Sequence, residues 1–316
     1  MQSYEEMTDH EIGYLVGLVD GEGCVHVYYS KRDNLTLPRL RIYCTSKSII
    51  NEACRIMRVK PNVRRDHGKL VGWYGQVSGA KAVRLMNIIA PLINDSSKKC
   101  RALTILKVFE KKGSIRERHR SAEIFAGCPP PARSRAQRER PGEIESTISP
   151  ESTTRSSNPL GPLAMQTLAS VIPAEKNDYD RGWLCGIVDG EGYIHVRYRS
   201  DRGTTYPRVR IFVKSKPIID AVARVMGVNP YPRRSHGKQL GWYASVSHLK
   251  ALRILQLIAP HLAEESKKCR ARKILDAFRE VGTIRSRLVN AKFFGGCPPP
   301  TRIRESGRII NSGRTA

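Results

Sequence analysis

The chain contains a near-copy of itself. Residues 14–23, YLVGLVDGEG, return as residues 183–192, WLCGIVDGEG, an offset of 169 between Gly17 and Gly186. The same offset carries Pro38 onto Pro207, Ser46 and Lys47 onto Ser215 and Lys216, and Arg64 and Arg65 onto Arg233 and Arg234. It carries residues 67–69 (HGK) onto 236–238, residues 97–102 (SKKCRA) onto 266–271, and residues 127–131 (GCPPP) onto 296–300, with no gap. A unit this long is a whole domain, not a solenoid repeat. Two copies predict two similar domains packed about a pseudo-twofold axis. Residues 1–131 form the first, 132–176 a flexible linker rich in Ser, Thr, Pro and Arg with a short helix near 163–171, 177–300 the second, and 301–316 a loose basic tail.

Within one copy the hydrophobic period changes as the chain advances. Thr8 with Glu11 is a capping box ahead of a helix from about Asp9 to Val19, stopped by Gly21 and Gly23; Asn177 and Asp180 sit equivalently. Residues 24–30 and 39–45 alternate as strands, with Pro38 at a strand start. Residues 48–57 have helical spacing, 62–78 read as a hairpin turning at His67, Gly68 and Lys69, and 80–93 and 97–111 as helices. The order predicts an α+β domain of the form αββαββα. Its four-stranded antiparallel sheet has one face on helices and the other carrying Arg, Tyr, His and Ser.

A formal net charge of +26 on 316 residues points to a polyanionic partner, because clustered Lys and Arg repel unless neutralised. No run of eighteen apolar residues predicts a membrane span. The first ten residues lack a signal-peptide pattern, so a cytoplasmic protein is expected. The Arg-, Ala- and Pro-rich usage suggests a bacterial or phage gene. The eight cysteines show no C-x-x-C spacing, which argues against a zinc finger and for reduced thiols. The GCPPP segments read as rigid ends of each copy.

The paired motifs at 15–23 and 184–192 resemble those of the LAGLIDADG homing endonucleases of the monomeric, two-motif type. The resemblance covers both repeats and implies two pseudo-symmetric domains with saddle-shaped sheets, packed through their motif helices. Gly17 and Gly186 lack side chains, so those helices can approach closely. Each would then deliver a terminal acid, Glu22 or Glu191, to the same place. Two clustered carboxylates repel unless a cation sits between them, and hard oxygen donors suit Mg²⁺. The resemblance implies Glu22 and Glu191 as catalytic acids and metal ligands, with Gly21 and Gly190 beside them and Mn²⁺ able to substitute. It also implies basic residues near the reacting phosphate: Lys98 and Lys267 match best, with Lys99 and Lys268 as rivals. Ser46 and Ser215 match a position that orients water. Asp20 and Asp189 read as structural, through local hydrogen bonds at the helix end.

The implied partner is double-stranded DNA, bound by a monomer through the outward strand residues: His26, Tyr28, Ser30, Arg39, Arg41, Tyr43, Arg64 and Tyr74 in the first copy, and His195, Arg197, Arg199, Arg208, Arg210, Lys214, Arg233 and Tyr243 in the second. The copies differ at Tyr28 against Arg197, Ser30 against Arg199 and Thr45 against Lys214, so an asymmetric target is expected. The implied activity is a staggered double-strand break in a long site. An RNA-binding intron maturase and a non-cleaving DNA-binding regulator are the alternatives on the same scaffold.

Overall fold

A computed structural model of the chain describes residues 4–109, 114–116, 119–130, 177–279 and 281–299. The expected linker helix and the basic tail lie outside the described residues. Each copy begins with a capped helix, α1 (Asp9–Glu22) and, in the second copy, α6 (Asp178–Glu191). The Thr8 hydroxyl accepts from Glu11 N, and Glu11 accepts from Thr8 N in return. Asn177 caps α6 by accepting from Asp180 N at 2.8 Å. Both helices outrun the expected stop near Val19. Gly21 and Gly190 stay helical, and only Gly23 and Gly192 turn extended. The apolar seam described below holds those last turns in helical form against glycine's low propensity.

In the first copy there follow β1 (Gly23–Ser30), β2 (Leu35–Cys44), α2 (Lys47–Ile56), β3 (Asn62–Asp66), β4 (Lys69–Ser78), α3 (Ala80–Ile89), α4 (Ser96–Phe109) and the short α5 (Ser121–Ile124). The second copy repeats this as β5 (Gly192–Arg199), β6 (Thr204–Val213), α7 (Lys216–Met226), β7 (Tyr231–Ser235), β8 (Lys238–Ser247), α8 (His248–Ile258), α9 (Glu265–Phe278) and α10 (Asn290–Phe293). The strand orders are β1-β2-β4-β3 and β5-β6-β8-β7, with every neighbouring pair antiparallel. The fold is the expected α+β pair of four-stranded sheets.

Pro38 does not start its strand; it is inside β2, paired with Val27. β4 joins β2 only from Arg39 onward, so β2 is still an edge strand at Pro38, where a missing N–H costs no ladder bond. The hairpin turns where expected: His67 and Gly68 both have positive φ, as do His236 and Gly237, the backbone signature of a tight two-residue connection.

One sheet face is apolar and buried. Val25, Val27, Leu40, Ile42 and Val77 pack on α2 and α3 residues such as Ile49, Ile50, Ala53, Leu85 and Met86. Each large side chain so buried contributes roughly 1.5–3 kcal/mol.

The cysteines correct the expectation of reduced thiols. Cys100 is bonded to Cys128 and Cys269 to Cys297, while Cys24, Cys44, Cys54 and Cys185 are free. Each bridge links α4 or α9 to the GCPPP segment behind it, across a sequence separation of 28. A search for close spacing misses such a pair, because only the fold brings its members together. The bridges also explain those segments: they pin the end of each copy to its last long helix, with Ser97 Oγ donating to Pro129 O at 2.7 Å in the first.

Candidate functional site

The motif helices run parallel, side by side. A Cβ on Gly13 would stand 2.1 Å from Tyr179 O, and one on Gly17 would stand 2.3 Å from Trp183 O. The reciprocal contacts are the same: Gly182 against His10 O at 2.0 Å and Gly186 against Tyr14 O at 2.2 Å. Backbone meets backbone at both levels, which only glycine permits. Gly13 and Gly182 are therefore as essential to the seam as Gly17 and Gly186, which the sequence reading singled out. Their signal was present: each lies four residues earlier, one helical turn along the same face.

The next turn carries Gly21 and Gly190. A Cβ on Gly21 would lie 3.5 Å from Glu191 Cγ, and one on Gly190 would lie 3.4 Å from Glu22 Cγ. Each glutamate thus lays its side chain across the last glycine of the opposite helix. Parallel helices with one shared end bring Glu22 and Glu191 together at the base of the two sheets. Two helix C-termini, each carrying partial negative charge, end there beside two carboxylates.

Lys98 and Lys267 answer that negative charge. Lys98 Nζ donates to Val19 O (2.8 Å), Asp20 O (2.6 Å) and Gly21 O (3.4 Å). Lys267 Nζ donates to Val188 O (2.9 Å) and Asp189 O (2.5 Å). Both ammonium groups are committed to the last carbonyls of the motif helices, at the end where the glutamates meet. Lys99 instead holds Pro91 O at 2.7 Å, which separates the two candidates of that pair by position. Ser46 lies buried at the start of α2 with its Oγ 3.0 Å from Ser48 Oγ, and it makes no cap hydrogen bond; Ser215 occupies the same place before α7.

Asp20 and Asp189 are buried, and their bonds are not local. Asp20 accepts from the backbone of Asn94 and Asp95, from Asn94 Nδ2, and from Trp183 Nε1 across the seam. Asp189 accepts from Ala263 N, Glu264 N and the Tyr14 hydroxyl, also across the seam. Burial raises the carboxyl pKa of both, to about 6 for Asp189, against the opposing pull of those donors and of the lysine beside each. Cys44 reports on the same place from the end of β2. Burial pushes its thiol up to about 11, the Glu22 charge adds to that, and Lys267 of the other copy opposes it.

A divalent cation fits the chemistry of this end of the seam. Carboxylates of Glu22 and Glu191 and the carbonyls of Gly21 and Gly190 are hard oxygen donors. Among the described residues no group of three or more His, Cys, Asp or Glu side chains is gathered to hold a metal, so a cation here would rest on the two carboxylates and on backbone carbonyls.

The open face of each sheet is cationic and aromatic. Arg39 lies over the Tyr28 ring at 3.4 Å, Arg64 over Tyr43 at 4.7 Å, and Arg41 over Tyr74 at 4.9 Å. In the second copy Arg210 lies over Tyr243 at 5.4 Å, and Arg233 over Phe212 at 4.9 Å. Stacking orders long side chains that would otherwise sample many rotamers. Ser30 donates to Asp33 at 2.8 Å, Arg199 is paired with Asp201 at 2.6 Å, and Arg197 is exposed. Two expected outward residues sit differently. Arg208 is only 8% exposed and donates to Ser245 at 3.1 Å. Lys214 lies just past the end of β6, which closes at Val213.

Three aromatics of this face were missed. Tyr193 stacks on His195, Phe212 sits under Arg233, and Tyr231 stacks on Tyr243. Alternation with His195, Arg210 and Arg233 was the signal for all three. Burial, then the neighbouring arginines, lower the imidazole pKa of His26 and His195 to about 4. Both rings are neutral near pH 7 and can both donate and accept hydrogen bonds.

No protein-family model and no curated protein matches the chain. Among solved structures it is similar to the LAGLIDADG homing endonuclease I-GzeII in complex with a DNA target, at 14% identity over 84% of this chain and 88% of that one, TM-score 0.47. It is similar to the LAGLIDADG meganuclease I-AabMI bound to uncleaved DNA, at 14% identity over 84% and 89%, TM-score 0.45. It is also similar to I-SmaMI bound to an uncleaved DNA target in the presence of calcium ions, at 11% identity over 86% and 90%, TM-score 0.43. Among the described residues no helix is long and apolar enough to cross a membrane.

Proposed function

We propose that this chain is a two-motif LAGLIDADG homing endonuclease that binds a long, asymmetric DNA duplex as a monomer and makes a staggered double-strand break by metal-dependent phosphodiester hydrolysis. One observation supports the reading: the glycine-packed parallel helices end side by side, with Glu22 Cγ beside Gly190 and Glu191 Cγ beside Gly21. The sheets supply positive charge for phosphates, and planar donors and aromatic rings for base edges in the major groove.

Glu22 and Glu191, with the carbonyls of Gly21 and Gly190, would hold Mg²⁺, or Mn²⁺ in its place. Such an ion lowers the pKa of water for attack and stabilises charge on the leaving oxygen. Lys98 and Lys267 were candidates for direct contact with the reacting phosphate. Their bonds to the motif-helix carbonyls favour a positioning role: each fixes a helix end and sets a positive charge beside the acids. Ser46 and Ser215 remain candidates to orient water, and one acid from each half suits one cut in each strand.

The test is purified protein with Mg²⁺ and the DNA that flanks the insertion point of its own gene in an allele without the insertion. The expected outcome is cleavage by the native chain, and loss of cleavage with retained binding in Glu22→Gln and Glu191→Gln. Cleavage that survives both substitutions refutes the assignment of the acids. Tight binding to intron RNA with no DNA cleavage replaces the reading with a maturase.

A further inference from the structure

The two sheet faces are not equally prepared to read a base. In the first copy Arg41 is locked: its Nε (3.2 Å) and Nη2 (2.8 Å) both donate to Gln76 Oε1 on the neighbouring strand. Its side edge is therefore spent inside the protein. The symmetry mate of Gln76 is Ser245, opposite Arg210 in the same register. Serine is too short to repeat the lock, and its hydroxyl is taken by Arg208 Nη2. Arg210 is left with a buried Nε that has no acceptor.

The residue beside it follows the same pattern. In the first copy the His26 Nδ1 has the Cys24 Sγ at 3.6 Å. In the second copy Cys24 is replaced by Tyr193, which stacks on the His195 ring at 4.7 Å, and His195 Nδ1 is buried without a partner of hydrogen-bond geometry. The Tyr193 backbone is only a lesser influence on that ring. Tyr193 and Arg210 are paired across β5 and β6, so the two orphan atoms belong to one small patch.

A buried donor without an acceptor is costly, and the cost is relieved by turning onto a partner. An arginine whose Nε edge is uncommitted can present two donors side by side to guanine O6 and N7. We propose that Arg210 is the specificity-determining arginine of this chain, rotating onto a guanine in the half-site of the second copy, whereas Arg41, held by Gln76, contributes fixed charge with weak base preference. The inference rests on the DNA-binding reading above and deepens it: it says which half of the target tolerates sequence change.

The experiment selects binders from a pool of randomised DNA duplexes in the presence of a chelator, and sequences the bound fraction. The native chain should enrich a G·C pair at one position whose preference falls about tenfold in Arg210→Ala and in Ser245→Gln. Ser245→Gln installs the lock of the first copy, so total DNA retained should stay within about threefold of native, since the charge is unchanged. The reciprocal Gln76→Ser should sharpen preference at the matching position of the other half-site by about tenfold. A motif of unchanged strength in Ser245→Gln and Gln76→Ser overturns the inference while leaving DNA recognition standing. Failure of the native chain to retain any duplex overturns the DNA-binding reading and this inference together. Should Ser245→Gln fail to fold, Gln76→Ser decides alone.

Discussion

Asp20 and Asp189 occupy the same position in the two motifs and brace the seam from opposite sides. Each takes a hydrogen bond from an aromatic residue of the other helix, Trp183 Nε1 to Asp20 at 3.1 Å and Tyr14 OH to Asp189 at 2.8 Å. Burial raises the Tyr14 pKa well above its ordinary value, so that residue stays a donor. Asp189 has a consequence for stability. Its carboxyl pKa is raised from 3.8 to about 6, so the folded state holds a proton that the unfolded chain has already released. The stability this group contributes is fully present below about pH 4 and is lost as pH rises through about 6. The difference corresponds to about 3 kcal/mol. Denaturant midpoints taken from pH 4 to 7 should fall less steeply in Asp189→Asn, which cannot titrate, than in the native chain. Equal slopes would sink this account of Asp189.

At the scale of elements, the decisive object is the pair α1 and α6. Their contact is built from glycine against carbonyl at Gly13, Gly17, Gly182 and Gly186, flanked by fully buried Leu15, Leu18, Leu184 and Ile187. A methyl group at any of the four glycines would overlap an opposing backbone atom that has no rotamer with which to move aside. Gly13→Ala or Gly186→Ala should cost about 3 kcal/mol or more, read by chemical denaturation, because the helices must part along their length. Gly21→Ala is the control. Its methyl would meet Glu191 Cγ at 3.5 Å, an ordinary contact, so the fold should persist with a loss below about 1.5 kcal/mol. If Gly13→Ala proves as mild as Gly21→Ala, the helices do not pack as described.

At the scale of the molecule, the repeated unit makes a scaffold that is nearly symmetric and a surface that is not. The buried positions keep their character through the offset: Leu15 against Leu184, Leu40 against Val209, Phe109 against Phe278. The open faces diverge, with Cys24 against Tyr193, Tyr28 against Arg197, and Gln76 against Ser245. A chain of net charge +26 with such a face should bind duplex DNA with strong salt dependence. Each neutralised phosphate adds about −0.9 to the slope of log affinity against log salt, and a slope of about −5 or steeper is expected for a long site. Fluorescence anisotropy of a labelled duplex across a salt series measures it. A flat response would remove the sheet faces from any role in holding DNA.

The internal repeat, the order of helices and strands, the hairpin turn and the terminal acids were all legible in the chain, because each is written in local spacing and in a motif that occurs twice. The strand and helix ends were less so: α1 continues through Gly21 to Glu22, since packing against α6 outweighs local propensity. Tertiary structure alone joined Cys100 to Cys128 and Cys269 to Cys297, sent Lys98 and Lys267 to the helix carbonyls, and left Arg210 without the lock that holds Arg41. Those outcomes depend on distances between residues far apart along the chain. Local pattern carries no information about such distances until the core has packed.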